Sequence, residues 1–322
     1  MVLRTSNMPP VETHVVESAD PPTGICEVAV SPVAPSVAHA LFRITGKPRR
    51  SLPLELQLPR STAMTRPVLI EKHGDIASIV LNRPERANAI DPDSTRALIQ
   101  CIDEVAADPT ARVVVLRATG RMFCAGGNID FFAQGGAGLP ALLDELLGPL
   151  HAALYKLATL PIPVISAVNG PVGGGGIGLA LCADIVLAAE SMKLRGGYSA
   201  IGLTPDAGSS WFLTRRVGAM RAKQIFFTND SFSAQQCLAM GIVSEVVPDV
   251  ELATRTTALA EALARSATGA LGRIKQLVDG AHERPLEAQL DLEHRLMVES
   301  AASAEAREGI AAFLSKRVPR FS

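Results

Sequence analysis

The stretch between Val164 and Ala180 constrains the fold more than any other part of the chain. A β-branched apolar run from Val164 to Val168 stops at Asn169-Gly170. Four consecutive glycines, Gly173 to Gly176, come next, and an apolar segment runs from Ile177 to Ala183. The order dictated is buried strand, glycine turn, buried helix. The first N–H groups of a helix have no partner inside it, and the helix dipole adds partial positive charge there. Glycine lets a ligand approach those groups closely. No Lys-Ser or Lys-Thr pair follows, as a phosphate-binding loop needs, and the acidic partner of a dinucleotide fold is missing downstream. What remains is a site for a small oxyanion, and such a site needs a second donor.

The chain has 322 residues, 48% of them hydrophobic, and a formal net charge of −1. That length builds one large core or two modest domains. The charge balance argues against a nucleic-acid surface, as does the acidic segment Asp93 to Asp108, where Asp93, Asp103, Glu104 and Asp108 face one Arg96. The five cysteines, Cys26, Cys101, Cys124, Cys182 and Cys237, have no CxxC spacing. They read as reduced thiols in a cytoplasmic protein rather than as disulfides or metal ligands. No apolar run approaches the roughly 18 uncharged residues of a membrane span. Residues 1–63 are punctuated by prolines, from Pro9-Pro10 to Pro59, and read as a proline-rich, disordered N-terminal extension.

From Val68 onward strands alternate with helices, which predicts an α/β protein with a mostly parallel, helix-covered sheet. Val68 to Ile70 and Ile76 to Leu81 predict a hairpin around Gly74-Asp75. A helix capped by Asp93 or Ser94 runs to about Ala107, and Arg112 to Leu116 is a buried strand. Gly120 to Gly127 is a glycine-bounded loop, and Gln134 to Gly138 a looser one before a helix from Leu139 to Leu160. Asp184 to Ala188, Met192 to Leu194 and Ser244 to Val247 are predicted strands. Short helices are expected at 209–217, 219–227 and 234–240, and a helical tail at 251–267, 271–281, 285–300 and 304–317.

Two further segments carry a family resemblance. Asn82-Arg83-Pro84-Glu85-Arg86-Ala87-Asn88-Ala89-Ile90 and Gly120-Arg121-Met122-Phe123-Cys124-Ala125-Gly126-Gly127-Asn128-Ile129 both resemble motifs of the crotonase (enoyl-CoA hydratase/isomerase) superfamily. The Val168 to Gly176 stretch resembles its oxyanion segment, and Gly309 to Arg317 its last helix. The resemblance implies a crotonase (ClpP/crotonase-like) fold of repeated ββα units, with a core domain at 64–260 and a C-terminal helical trimerisation region at 261–322. It implies a homotrimer or dimer of trimers, and a coenzyme A thioester as substrate with no further cofactor and no metal. The second donor then falls at Gly127, with Gly175 supplying the first. Both N–H groups would hold the thioester oxygen as it gains charge.

Fold alone does not give the reaction. Hydratases of this family place two glutamates where this chain has Gly178 and Tyr198, so simple water addition is disfavoured. Asp206 matches the catalytic aspartate of enoyl-CoA isomerases, including the ring-opening type acting on epoxidised phenylacetyl-CoA. It also matches the nucleophile of 4-chlorobenzoyl-CoA dehalogenase. The competing reading makes Asp206 the N-cap of the following helix, and the functional reading is preferred because a carboxylate in a cleft is the expected feature of a site. His151 matches the dehalogenase's base, and Tyr198 falls at that enzyme's donor position, although either could be a packing residue. Leu203, Trp211 and Phe212 are expected to wall the aspartate. By the same resemblance, Arg86, Ala87, Ala89, Ala125, Asn128 and Ile129 contact coenzyme A, and Phe313 and Lys316 reach a neighbouring subunit's ligand. The resulting expectation is an acyl-CoA isomerase using Gly127, Gly175 and Asp206. The alternatives are dehalogenase-like hydrolysis with Asp206 as nucleophile, an enoyl-CoA hydratase-like lyase, or a non-catalytic CoA- or RNA-binding family member.

Overall fold

In the computed structural model the described residues are 66–321. The extension at 1–63 and Cys26 therefore lie outside them. Strands β1 (Val68–His73) and β2 (Ile76–Leu81) form the expected antiparallel hairpin, with His73 paired to Ile76. Next come β3 (Val113–Ala118), β4 (Val164–Val168), β5 (Val172–Gly173), β6 (Ile185–Ala189), β7 (Lys193–Arg195), β8 (Ser231–Ser233) and β9 (Glu245–Val247). The large sheet has the order β1-β2-β3-β4-β6-β9 and is parallel from β2 onward. The small sheet is β5-β7-β8. Twice, at β4-β5 and at β6-β7, a large-sheet strand is followed by a small-sheet strand and then by a helix, Gly175–Leu181 and Ser209–Thr228 respectively. This is the ββα repeat of a crotonase fold.

The helices are α1 (Pro92–Ala106), α2 (Ile129–Gly135), α3 (Leu139–Ala158), α4 (Gly175–Leu181), α5 (Ser209–Thr228), α6 (Ala234–Ala239), α7 (Leu252–Ala264), α8 (Thr268–Asp279), α9 (Leu286–Ala301) and α10 (Ala304–Leu314). Their placement explains why the strands read as near-continuous apolar runs. Val114, Leu116, Val164, Val168 and Val186 point into a core shared with α1, α3 and α4. Their alternates Val113, Val115, Ile165 and Leu187 point the other way, onto Leu252, Ala260 and Ala264 of α7. Both faces of a parallel sheet are covered, so polar alternation is lost. The expected boundary at 260/261 falls inside α7, a helix that packs on the sheet.

Several local expectations are corrected. The cap of α1 is Asp91, not Asp93 or Ser94. The Asp91 carboxylate accepts the Ser94 N–H at 3.0 Å, and Ser94 Oγ accepts the Asp91 N–H at 2.8 Å. Pro92 at the first helical position moves the start back two residues. Where a loose loop was expected at 134–138, α2 extends to Gly135. Its start is capped by the Asn128 side chain, which accepts the Phe131 N–H. None of its residues is buried, so no apolar stripe marked it. The two helices expected at 209–217 and 219–227, by contrast, are present, since the span of α5 is interrupted at Gly218, whose φ of 77° and ψ of 162° are not helical. Among the described residues the four cysteines are unpaired and buried, and no helix is long and apolar enough to cross a membrane.

Asp91 joins this scaffold to the loop before it. Both carboxylate oxygens accept from Arg83 Nη1 at 2.8 Å, and the two side chains are 8% and 12% exposed. Burial pushes the Asp91 carboxyl up, but the Ser94 N–H, the Arg83 charge and the Asn128 amide outweigh it and hold the net value below 3.8. A depressed carboxylate stabilises the fold above its unfolded value, and that contribution disappears as pH falls through the lower folded one. Asp91→Ala strands a nearly buried guanidinium and removes a cap, and should cost about 2–4 kcal/mol in urea unfolding at pH 7. The deficit relative to wild type should shrink as pH is lowered below about 3.8. A deficit constant from pH 7 to pH 3 would exclude the ionised pair as its source.

Candidate active site

Three chain segments lie side by side to make the site. The carbonyl of Ala87 accepts the Ala125 N–H at 3.0 Å, Gly126 O accepts from Ile90 N–H at 2.7 Å, and Ile90 O accepts from Asn128 N–H at 2.8 Å. On the far side, Cys124 bridges Val172 and its carbonyl accepts the Gly173 N–H at 3.0 Å. The side chain of Asn88, 6% exposed, binds the edge of this arrangement. Its carbonyl accepts the Arg83 N–H, and its amide donates to Thr119 O and Met122 O. A Cβ on Gly126 would stand 2.7 Å from Gly173 O, and one on Gly176 would stand 2.6 Å from Cys124 O. Backbone lies against backbone, so only glycine fits at these two positions.

Both residues expected to be oxyanion donors line one cavity beside this stack. The pairing with Ile90 uses Gly126 O and Asn128 N–H, which turns the Gly127 N–H to the opposite side. Gly175 is the first residue of α4, where an N–H has no acceptor within the helix. Gly127 and Gly175 line the same open cavity of about 610 Å³, together with Tyr198, Asp206 and His151. All five of the sequence-predicted catalytic and pocket residues are therefore brought together.

Asp206 is not a side-chain cap. Helix α5 starts from Gly208 with no side-chain hydrogen bond, and only the carbonyl of Asp206 takes part, accepting the Ser209 N–H at 2.8 Å. Its carboxylate turns into the site instead, where Oδ1 accepts the Tyr198 hydroxyl at 2.5 Å. A Cβ on Gly175 would lie 3.0 Å from this same oxygen, so the carboxylate sits directly beside the oxyanion glycine. Burial first, and then the Asp206 charge, pushes the Tyr198 phenol far above its ordinary value, so it remains a neutral donor. His151 lies on α3 in register with Leu143 and Leu147, which also line the cavity. Its Nε2 accepts the Ala207 N–H at 3.1 Å, which commits that nitrogen to holding the Asp206 turn.

Of the expected wall, Leu203 lines the cavity, while Trp211 packs edge-on against Phe212 and under Arg215, away from it. Phe132 of the unforeseen α2 takes part in their place. Among the expected coenzyme A contacts, Ala89, Ala125, Asn128 and Ile129 line this cavity, and Arg86, Ala89 and Asn128 line an adjoining one, also of about 610 Å³. Ala87 supports the stack through its carbonyl. Phe313, 83% exposed on α10, and Lys316 beyond its end are not among the residues lining either cavity. Ser209 was missed. It is fully buried, 3.1 Å from the Tyr198 hydroxyl, and a serine eleven residues further along a chain carries no local signal of such a contact.

Comparison with known proteins agrees with this geometry. Residues 71–322 match the family described as enoyl-CoA hydratase/isomerase. The chain is 39% identical over 251 residues to the 1,2-epoxyphenylacetyl-CoA isomerase of Escherichia coli, covering 77% of this chain and 95% of that one. It is 39% identical over 247 residues to a probable enoyl-CoA hydratase of Rhodobacter capsulatus, covering 77% and 94% respectively. The crystal structure of an enoyl-CoA hydratase from Polaromonas superposes with a TM-score of 0.76 at 32% identity, covering 79% of this chain and 99% of that one.

Gly178, at one of the two hydratase carboxylate positions, is sealed. A Cβ there would fall 1.8 Å from Ala207 O and 3.0 Å from Ser209 N, both backbone atoms. Gly178→Ala should therefore cost about 3 kcal/mol or more, lowering the melting temperature by roughly 6–12 °C in calorimetry. Gly178→Glu should gain no crotonyl-CoA hydration. A well-folded Gly178→Glu protein that hydrates crotonyl-CoA would show that the turn at Asp206 yields and makes room for a carboxylate.

Proposed function

The chain belongs to the enoyl-CoA hydratase/isomerase family and is an enzyme acting on coenzyme A thioesters; on that premise we propose that it is an acyl-CoA isomerase with Asp206 as its acid and base. The reaction is the shift of a double bond in a 3-enoyl-CoA, or the opening of a ring-derived thioester. The observation that carries this reading is the carboxylate of Asp206 beside Gly175, with Gly178 closed and Tyr198 filling the second hydratase position. Water addition needs one group to activate water and another to deliver the α proton. A double-bond shift needs only one group that takes a proton and returns it elsewhere.

In this reading the thioester oxygen lies between the N–H groups of Gly127 and Gly175. Loss of an α or γ proton to Asp206 moves charge onto that oxygen, where the two donors hold it at no cost of reorganisation. Asp206, now neutral, returns the proton at the other end of the dienolate. The adjoining cavity bounded by Arg86 and Asn128 takes the nucleotide end of coenzyme A. No cofactor is required beyond the substrate's own coenzyme A. Assembly as a homotrimer or dimer of trimers, with Phe313 and Lys316 at a neighbour's ligand, belongs to the same proposal. Dehalogenase-like hydrolysis is less well supported, because its base would be His151, whose Nε2 is engaged by the Ala207 N–H.

Asp206→Asn keeps the size of the side chain and can still accept the Tyr198 hydroxyl, so it should fold normally. Isomerisation of 3-enoyl-CoA thioesters should fall by about 10²–10⁴ in kcat, the range for a removed general base. KM should change little, since the oxyanion donors are untouched. Near-normal turnover by a folded Asp206→Asn protein, or strong crotonyl-CoA hydration by the wild type, would sink the isomerase reading.

A further inference from the structure

We propose that Tyr198 is the positioning residue of Asp206, the last member of a buried donor chain that starts at the backbone of α4 and leaves one carboxylate oxygen to do the chemistry. The inference rests on the isomerase reading for its catalytic consequence, but its geometry stands independently. Gly178 N–H donates to Ser209 Oγ at 3.0 Å, and Ser209 Oγ lies 3.1 Å from the Tyr198 oxygen. The Tyr198 proton is committed to Asp206 Oδ1 at 2.5 Å, because a carboxylate has none to give, so in the Ser209–Tyr198 contact the serine hydroxyl is the donor. The same hydroxyl faces a second acceptor, Gly174 O, at the longer distance of 3.4 Å. With its proton in the shorter contact the order is Gly178 N–H to Ser209, Ser209 to Tyr198, Tyr198 to Asp206, and hydrogen bonds aligned in this way polarise one another.

The chain is built to be rigid. Tyr198 is 7% exposed and Ser209 fully buried, and the Tyr198 ring is met edge-on by Phe226 at 6.1 Å. Because Oδ1 is also the oxygen nearest Gly175, Oδ2 is the oxygen left to meet a substrate proton. Proton transfer then runs through Oδ2 in both directions, while the phenol keeps its own proton throughout. The two positions that hold carboxylates in hydratases, Gly178 and Tyr198, are here the first and last members of the support for a third. Other titratable groups near Asp206 are differently engaged. His151 accepts from Ala207, Cys124 is a buried thiol pushed up to about 12 chiefly by burial, and Asp130 and Arg195 stand on the cavity wall. Among the described residues Tyr198 is the side-chain donor to this carboxylate.

In the full-length protein, Tyr198→Phe removes the bond that fixes the direction of the Asp206 carboxylate and should lower kcat for 3-enoyl-CoA isomerisation by about 10–100-fold, the effect of one lost bond to a charged group. KM should stay within about twofold, because no group proposed to hold the thioester is touched. A folded Tyr198→Phe enzyme with wild-type kcat would overturn the proposal. Because the chain has only two tyrosines and Tyr155 is 73% exposed, 3-fluorotyrosine can be placed at residue 198 alone in a Tyr155→Phe background. It keeps a phenol donor and should retain the turnover that phenylalanine loses. Its ¹⁹F resonance should move on Asp206→Asn, which changes the acceptor of the phenol from a carboxylate to an amide. This resonance decides the matter if Tyr198→Phe fails to fold. It also separates the two readings. A wild-type protein that isomerises nothing removes the proposed function, while a resonance that moves on Asp206→Asn still supports the Tyr198–Asp206 bond and an unmoved one overturns it.

Discussion

The structure depends on one contact, the meeting of two main chains where no side chain intervenes. Gly126 and Gly176 each stand where a Cβ would fall 2.7 Å or less from a carbonyl oxygen of the other segment. That approach brings the residues at 124–128 next to those at 172–175, and the two proposed oxyanion donors, Gly127 and Gly175, belong to these two segments. Had either segment carried a side chain, the donors would be held apart by several ångströms, and a single oxygen could not reach both. The small sheet follows from the same contact, since Val172 and Gly173 pair with β7 on one side while bridging Cys124 on the other.

Around this contact, rigidity comes from polar groups that are buried and fully used. Arg83, Asn88 and Asp91 exchange hydrogen bonds with one another's backbone or side chains and with the glycine loop. Each would be costly to bury alone and is acceptable only because its partners are present. The same logic holds at the other wall of the site. The Pro205 to Gly208 turn carries Ala207 at a φ of 51°, a left-handed conformation that a side chain adopts reluctantly. His151 secures it from α3 through the Ala207 N–H, and Gly178 secures it from α4 by offering bare backbone to Ala207 O. The catalytic candidate therefore sits on a strained turn gripped from two helices, where strain is retained because the surroundings over-determine it.

The apolar part of the molecule plays a different role. The two clusters on opposite faces of the large sheet contain none of Gly127, Gly175 and Asp206, the groups proposed to act on substrate, although Tyr198 belongs to one of them, and they hold β4 and β6 at fixed register. The segments that carry the site leave the ends of those strands. Stability and chemistry are thus separated along each ββα unit, with strands supplying burial and the turns between them supplying donors and acids.

Much of this was legible in the sequence because its physical cause is local. The run from Val164 to Ala180 dictates strand, turn and helix by itself, and the spacing of apolar residues placed most other elements within a few positions. Gly127, Gly175 and Asp206 could be matched by motif, since each lies in a short segment of distinctive composition. What local composition cannot express is which groups meet across the fold. The roles of Gly178, Tyr198, His151 and Ser209 were decided by tertiary structure, because each depends on partners 8 to 56 residues away in the chain. The sequence allowed Asp206 to be a helix cap or an active carboxylate. Folding settled the direction of its side chain, because the hydroxyl of Tyr198 waits on one side of the turn and the backbone of α5 closes itself on the other.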